Sequence, residues 1–403
     1  MLSVLLVNGG NYLYNLLMGR LLGPEVFADA ALLITMLLVL SFVGMTFQLA
    51  TAKFRVLFSG DQWTAFERTM YRGSLLVGVV IGILMVVFAP WLQKVFNSNN
   101  VLMFRIFGAA VPLYFIMSVN RGAYQGAQDF VRLSVTYQTE MWSRLILTLV
   151  FLMVLPINPI IVVSVGIAIS FVFGLIPSQT NNFGRFLGKN FLTKENTAAV
   201  KHFFLITAGY ELTQIIINNS DILLVKHFFG AMDAGLYASL ALIGRVVYFV
   251  AWMFVMLLLP SVVQRKKDGQ DTAPILFKYV TYIAMLSAAI VLGCVLFPET
   301  IITLMFGEAY ISMAGLLWQY ALATSLFAIA NIFTYYFLSL DRYFPVILSG
   351  VLGLSQIALV ALFHSSLKMV VQVQIMAMAA LLLSQILYFV QHTIKTRGHM
   401  DVL

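Results

Sequence analysis

The chain runs to 403 residues, 61% of them hydrophobic and only 10% charged, against roughly 25% charged in ordinary soluble domains. So few charges could not cover a water-facing surface of this length, which excludes a soluble globular protein and makes lipid the solvent. The formal net charge of +8 would suit nucleic acid, but the basic residues sit in alternate loops, as the positive-inside rule requires, so no nucleic-acid partner is expected.

The first apolar segment, 1–22, has no basic n-region ahead of it and no small-residue cleavage site after it. It therefore reads as a helix, not a removable signal peptide. Further apolar runs follow at 27–50, 73–90, 106–120, 134–155, 157–177, 202–228, 232–260, 275–297, 312–339, 344–363 and 369–391. Each is long enough, or nearly so, for a crossing of about 20 residues. Pro156 and Pro159 divide the fifth run from the sixth, Gly230 and Asp233 mark a tight turn after the seventh, and Pro298 ends the ninth. The lone cysteine, Cys294, falls in an apolar run, where it reads as a small buried hydrophobe, and intrachain disulfides are excluded.

Basic residues divide by side. Lys53, Arg55, Arg68 and Arg72 follow span two; Arg121, Arg132 and the span-embedded Arg144 follow span four. Arg185, Lys189, Lys194 and Lys201 follow span six, and Arg265, Lys266, Lys267 and Lys278 follow span eight. Arg342 follows span ten, and Lys395 and Arg397 close the chain. The opposite side holds only Arg20, Lys94, Arg105, Lys226 and Lys368, while Arg245 lies within span eight. The asymmetry puts both termini in the cytoplasm. The fold class expected is an all-α membrane protein of about 12 transmembrane helices.

The longest polar stretch, Gln179 to Lys201, splits the spans six and six: an N-lobe at 1–178, a cytoplasmic linker at 179–201 and a C-lobe at 202–403. Local echoes support an internal repeat. Asn11, Leu16-Leu17 and Gly23 match Asn218, Leu223-Leu224 and Gly230 at an offset of 207 residues, and Arg121 to Phe130 is echoed by Tyr335 to Phe344. Six is an even number of spans, so the repeats are parallel, and such halves enclose a central lumen at their interface.

Several turns carry a family likeness. Gly-Arg-Leu-Leu-Gly-Pro-Glu-Val-Phe-Ala at 19–28, Asn-Asn-Ser-Asp-Ile-Leu-Leu-Val at 218–225 and Gly-Ala-Met-Asp-Ala-Gly-Leu-Tyr-Ala at 230–238 resemble polysaccharide-biosynthesis, O-antigen-type flippases. So do Leu-Leu-Leu-Pro at 257–260, Met-Phe-Gly-Glu-Ala-Tyr at 305–310 and Leu-Asp-Arg at 340–342. These flippases belong to the multidrug/oligosaccharidyl-lipid/polysaccharide exporter superfamily. The likeness implies two six-helix lobes around a V-shaped lumen open to one side at a time, and a lipid-linked sugar cargo. The chain departs from the family pattern in lacking a basic stretch before span one, which points to a truncated start, and in having room for twelve spans where many members carry fourteen.

Charges inside a span cost on the order of 2.5–3.5 kcal/mol each, so they need a reason. Glu211, Arg245 and Arg144 fall near mid-span. Counted at 1.5 Å per residue from the ends of the connecting turn, Glu211 lies about 25 Å and Arg245 about 20 Å down their helices. Two readings follow. One is a Glu211–Arg245 ion pair that fixes packing. In the other these residues line the lumen, Arg245 and Arg144 attracting a diphosphate and Glu211 serving a gate or proton step. Glu211, Gln214, Asn218 and Asp221 share one helical face, as do Asn8, Asn11 and Asn15 on span one. Both rows suit a wet lumen, with interhelical hydrogen bonding as the alternative. Gln48, Asn331, Gln356, His364 and Gln385 read as packing residues, and Tyr12, Tyr14, Tyr335 and Tyr336 as interface anchors rather than sugar platforms.

No Gly-rich phosphate loop or HExxH pair occurs, so no catalytic residue, metal or cofactor is expected. The reading is a flippase of the cytoplasmic membrane moving a lipid-linked oligosaccharide by alternating access. Its partners would be that substrate, membrane lipids and glycan-assembly enzymes. An ion-coupled antiporter of cationic drugs would need a dominant acidic pocket. A glycan polymerase or ligase would need a large outer loop, and every outer loop here is short.

Overall fold

The computed structural model describes residues 2–177 and 192–400, apart from 249, 250, 252, 253, 255–257, 259, 260, 263, 264, 267, 341 and 343. Among the described residues the regular structure is helical, with no strand. Seven stretches are long and apolar enough to cross a membrane: Leu6–Leu57, Gly60–Val87, Val101–Gly126, Ala273–Leu296, Glu308–Ser339, Phe344–Leu362 and Leu367–Gln391, with Pro159–Gly174 a shorter apolar helix.

The chain forms two compact units, Met1–Ile215 with Phe229–Gly235, and Ile216–Phe228 with Leu236–Leu403. The first holds α1 (Leu2–Leu57), α2 (Gly60–Val87), α3 (Ala89–Val95), α4 (Val101–Gly126), α5 (Phe130–Val154) and α6 (Pro159–Gly174). α7 (Lys194–Phe228) runs from the first unit into the second. Then come α8 (Ala231–Gly244), α9 (Ala273–Leu296), α10 (Pro298–Met305), α11 (Ala314–Ser339), α12 (Phe344–Leu362) and α13 (Leu367–Met400).

Local chemistry explains the boundaries. α1 is a 56-residue run broken at Gly23, whose φ of 71° and ψ of 169° leave the helical region just before Pro24. Glycine takes that φ without penalty and the following proline withdraws a donor, so the expected first and second spans are the two arms of one bent run. Asn100 opens α4 by accepting from the Leu102 N–H at 2.8 Å, and Asn158 opens α6 by accepting from Ile160 at 3.0 Å with Pro159 in the first turn.

In the first unit α4 is the hub, packed on α1, α2, α5 and α6. In lipid the packing force is close van der Waals contact, and small residues allow it. A Cβ on Gly82 would sit 2.5 Å from the Gly108 carbonyl oxygen, one on Gly78 2.8 Å from Pro112 Cα, and one on Gly122 2.4 Å from the Gln48 carbonyl oxygen. α2 and α4 therefore meet backbone to backbone. In the second unit α11 is the hub, packed on α9, α12 and α13. Ile217, Phe327, Ala330, Ala377, Met378 and Leu381 form a core there. The outward faces are apolar: Leu76, Val80, Ile83 and Val87 on α2, and Leu383, Leu387 and Val390 on α13, are all exposed. Such stripes suit acyl chains, not water.

Three expectations are corrected. Arg121 is not a loop cation: it lies in the last third of α4 and is 4% exposed. Lys226, counted with the outer loops, is inside α7 and 1% exposed. For Arg121 hydropathy ended the span too early, at 120, because a buried cation lowers the average while the helix runs on to Gly126. Of the linker expected at 179–201, residues 179–191 lie outside those described, and Lys194 opens α7. Tyr14, Tyr335 and Tyr336 are buried, not anchored at an interface; Tyr336 shares a 2.8 Å hydrogen bond with Thr272. Among the residues read as packing groups, Gln385 donates to the Pro345 carbonyl and Ser349 hydroxyl, and His364 stacks on Phe228.

Candidate functional site

Two buried charged clusters stand out, one inside each unit. The first joins α1, α4 and α5. Glu140 on α5 meets two arginines. Arg121 approaches its Oε2 at 2.6 Å, and Arg144, one turn further along α5, approaches Oε1 at 3.5 Å. Arg121 is engaged on every side: its Nε donates to the Thr136 hydroxyl at 3.0 Å, its Nη2 to the Thr136 carbonyl at 3.1 Å, and its guanidinium lies 3.8 Å from the centre of the Tyr137 ring. Tyr137 in turn donates to Gln48 Oε1 at 3.1 Å, and Gln48 donates to Gln125 at 2.9 Å.

Arg144 is held more loosely. Its Nη2 donates to the Asn11 side-chain carbonyl, its guanidinium lies 5.4 Å from the Tyr14 ring, and its buried Nε makes no hydrogen bond. Of the asparagine row expected on span one, Asn11 thus reaches another helix. Asn15 donates back to the Asn11 carbonyl at 2.8 Å within its own helix, and Asn8 is exposed.

The second cluster gathers around Asp221 of α7. Its Oδ1 accepts from Arg245 at 2.9 Å, and its Oδ2 accepts from Tyr320 at 2.7 Å and Tyr237 at 3.2 Å. Gln374 donates to the Tyr237 hydroxyl at 2.7 Å. Arg245 also donates to the Asn218 carbonyl and, at 3.4 Å, to the Asn219 side chain, while the Asn218 amide donates to Tyr248 at 3.2 Å. A cavity of about 40 Å³ is lined by Asn218, Asp221, Arg245, Tyr320, Gln356 and Gln374 among others, room for a few waters.

The structure therefore brings together Asn218, Asp221 and Arg245 in one cluster and Asn11 with Arg144 in the other. The acid facing Arg245 is Asp221, while the Glu211–Arg245 pair, one of the two sequence readings, falls on a side chain outside those described. Depth counted along two axes fixes neither tilt nor the azimuth of a side chain, and both decide the partner. The side chains of Glu211 and Gln214 lie outside those described. Glu140, Tyr237, Tyr320 and Gln374 were missed from sequence. Glu140 and Arg144 carried a usable signal, since opposite charges four apart in a helix face one another; the tyrosines carried none. Among the described residues no group of three or more His, Cys, Asp or Glu side chains could hold a metal ion. What the clusters offer is charge recognition: guanidinium forks matched to oxyanions, and amides and hydroxyls around them.

Residues 17–315 match the pattern of a family described as "Polysaccharide biosynthesis protein". An uncharacterized membrane protein of Methanocaldococcus jannaschii is 23% identical over 315 residues, 74% of this chain and 73% of the relative. Among solved structures, a multidrug resistance MATE family transporter of the MOP superfamily in its inward-facing conformation superposes with a TM-score of 0.80 at 14% identity, over 97% of this chain and 95% of the other. The lipid II flippase MurJ in an inward closed conformation gives 0.75 at 14% identity, over 97% and 86%. At such identities these two likenesses establish the fold.

Proposed function

Because the chain belongs to the polysaccharide biosynthesis protein family, we propose that it is a flippase carrying a lipid-linked oligosaccharide or polysaccharide precursor from the inner to the outer leaflet of the cytoplasmic membrane. The observation that carries this reading is a polysaccharide-family sequence on a transporter fold. In this picture twelve helices form two lobes, 1–178 and 202–403, joined by the linker 179–201, with both termini cytoplasmic. The lobes would open alternately to either side. Arg144, Asn8, Asn11 and Asn15 from one lobe, and Glu211, Gln214, Asn218, Asp221 and Arg245 from the other, would serve the sugar-bearing head group while the lipid tail stays in the bilayer. Glycan-assembly enzymes would supply and consume the cargo.

The likeness to a multidrug transporter favours a second reading, export of cationic drugs. Against it, the buried carboxylates Glu140 and Asp221 each already hold an arginine, a poor arrangement for receiving a cation. The discriminating experiment deletes the gene and measures the leaflet distribution of lipid-linked sugar alongside ethidium efflux. Accumulation of the sugar lipid on the inner leaflet, reversed by the wild-type gene, is expected; unchanged distribution with lost efflux would overturn the flippase reading.

A further inference from the structure

One apolar cavity in the first unit is built by a single stretch of sequence. Along α2, Ile81, Leu84, Met85 and Phe88 recur at helical spacing, so they lie on one face. The helix stops at Phe88, whose φ of −86° and ψ of 9° lie in the bridge region beside the helical well, and α3 restarts at once with Pro90 in its first turn. Trp91 and Leu92 of α3 carry the apolar face around that bend. The six side chains line a cavity of about 420 Å³ whose wall is wholly apolar, a size typical of small-ligand sites. Phe88 and Trp91 are 51% and 59% exposed. The far end of α3 is fixed as well: Asp29 of α1, 4% exposed, accepts from the Ser98 hydroxyl at 3.0 Å and the Asn99 N–H at 3.3 Å, which ties the turn after α3 to α1.

Phe88, Trp91 and Lys94 follow one another at intervals of three, a stripe of two rings and an ammonium on one side of the short helix. Lys94 is exposed and makes no ion pair among the described residues. The sequence carries no Asp or Glu from 69 to 128, while Arg72, Lys94, Arg105 and Arg121 all fall within that stretch. An apolar slot beside an uncompensated cation matches a molecule with a hydrocarbon chain at one end and an anion at the other. Trp91 suits the depth this requires, because indole prefers the membrane–water interface. A lysine stem lies along apolar surface while its ammonium stays among the headgroups. We propose that the α2–α3 bend binds one acidic phospholipid of the surrounding bilayer, an acyl chain in the cavity and the phosphate at Lys94. The site belongs to a resident lipid, not to cargo, and stands whether or not the protein is a flippase. In the proposed topology it faces the outer leaflet, the side on which Lys94 is expected.

The test uses the full chain in nanodiscs of phosphatidylcholine doped with dibrominated lipids, which quench tryptophan on contact. The Trp91 signal is the difference between wild type and Trp91→Phe. Dibrominated phosphatidylglycerol is expected to quench it at about fivefold lower mole fraction than dibrominated phosphatidylcholine, the scale of one lysine at a charged lipid surface. Lys94→Gln is expected to erase that difference and Lys94→Arg to keep it, while Lys368→Gln, a change at another exposed cation, leaves it intact. Equal quenching by the two lipids in wild type would overturn the proposal and reduce the bend to ordinary lipid contact. So would a preference that survives Lys94→Gln. Absence of Trp91 quenching by either lipid would mean that protein covers the bend, and would overturn it too. Farnesyl phosphate displacing the brominated phosphatidylglycerol at far lower mole fraction than unlabelled phosphatidylglycerol would reassign the slot to a polyprenyl tail, against the proposal.

Discussion

Asp221 holds three donors at once, Arg245 at 2.9 Å, Tyr320 at 2.7 Å and Tyr237 at 3.2 Å. Such a carboxylate contributes less as an attraction than as the compensation that keeps a buried guanidinium tolerable. Removing it leaves Arg245 uncompensated, a cost of about 3–5 kcal/mol for a buried pair broken on one side. Asp221→Ala should therefore unfold at much lower SDS than wild type, and the double change Asp221→Leu with Arg245→Met should recover most of the loss. A double variant no more stable than Asp221→Ala would mean that the charge pair is not the origin of the effect. The same logic gives Glu140 its place between Arg121 and Arg144. From the sequence, an acid and a base inside apolar runs are legible as residues with partners to find; which partner each finds is not.

At the scale of the helix, glycine decides where backbones meet. Gly82 on α2 and Gly108 on α4 face one another so closely that a Cβ on the first would sit 2.5 Å from the carbonyl oxygen of the second. Gly293 on α9 has nothing within 4 Å of its would-be Cβ. The two sites predict opposite signs for one substitution. Gly82→Ala should destabilise by about 1–3 kcal/mol through overpacking, whereas Gly293→Ala should stabilise by up to about 1 kcal/mol through helix propensity. SDS unfolding of both variants checks this, and loss of stability in both would refute the packing account. Elements also repeat. α2 leads through the short α3, begun at Ala89-Pro90, to the hub α4, and α9 leads through the short α10, begun at Pro298, to the hub α11. Asn97 with φ 44° and Gly307 with φ 96° turn the chain at the matching places. The span limits for α5, α9, α11 and α12 were readable to within a few residues, since caps and prolines are local. The end of α4 was not, because Arg121 is a buried cation.

Across the whole molecule, alternate loops carry opposite loads of Lys and Arg, which is what puts both ends of the chain in the cytoplasm in the proposed topology. Labelling tests it. With Cys294, which is buried, replaced by alanine, Glu308→Cys should react with a membrane-impermeant maleimide on intact cells. Lys395→Cys should react only after permeabilisation. The reverse pattern would invert the topology and with it the direction of transport proposed above.

Composition, hydropathy and turn residues by themselves determined that this chain is a helical membrane protein, roughly where its helices run and which family it joins. These are properties of one segment at a time: an apolar run needs lipid, a Gly-Pro step breaks a helix, an asparagine caps the next. Tertiary structure alone decided that Arg245 faces Asp221 and that Arg121 and Arg144 share Glu140. Those facts depend on helix rotation and tilt, and apolar helices of similar composition can pack at many rotations until buried charges and glycine contacts select one.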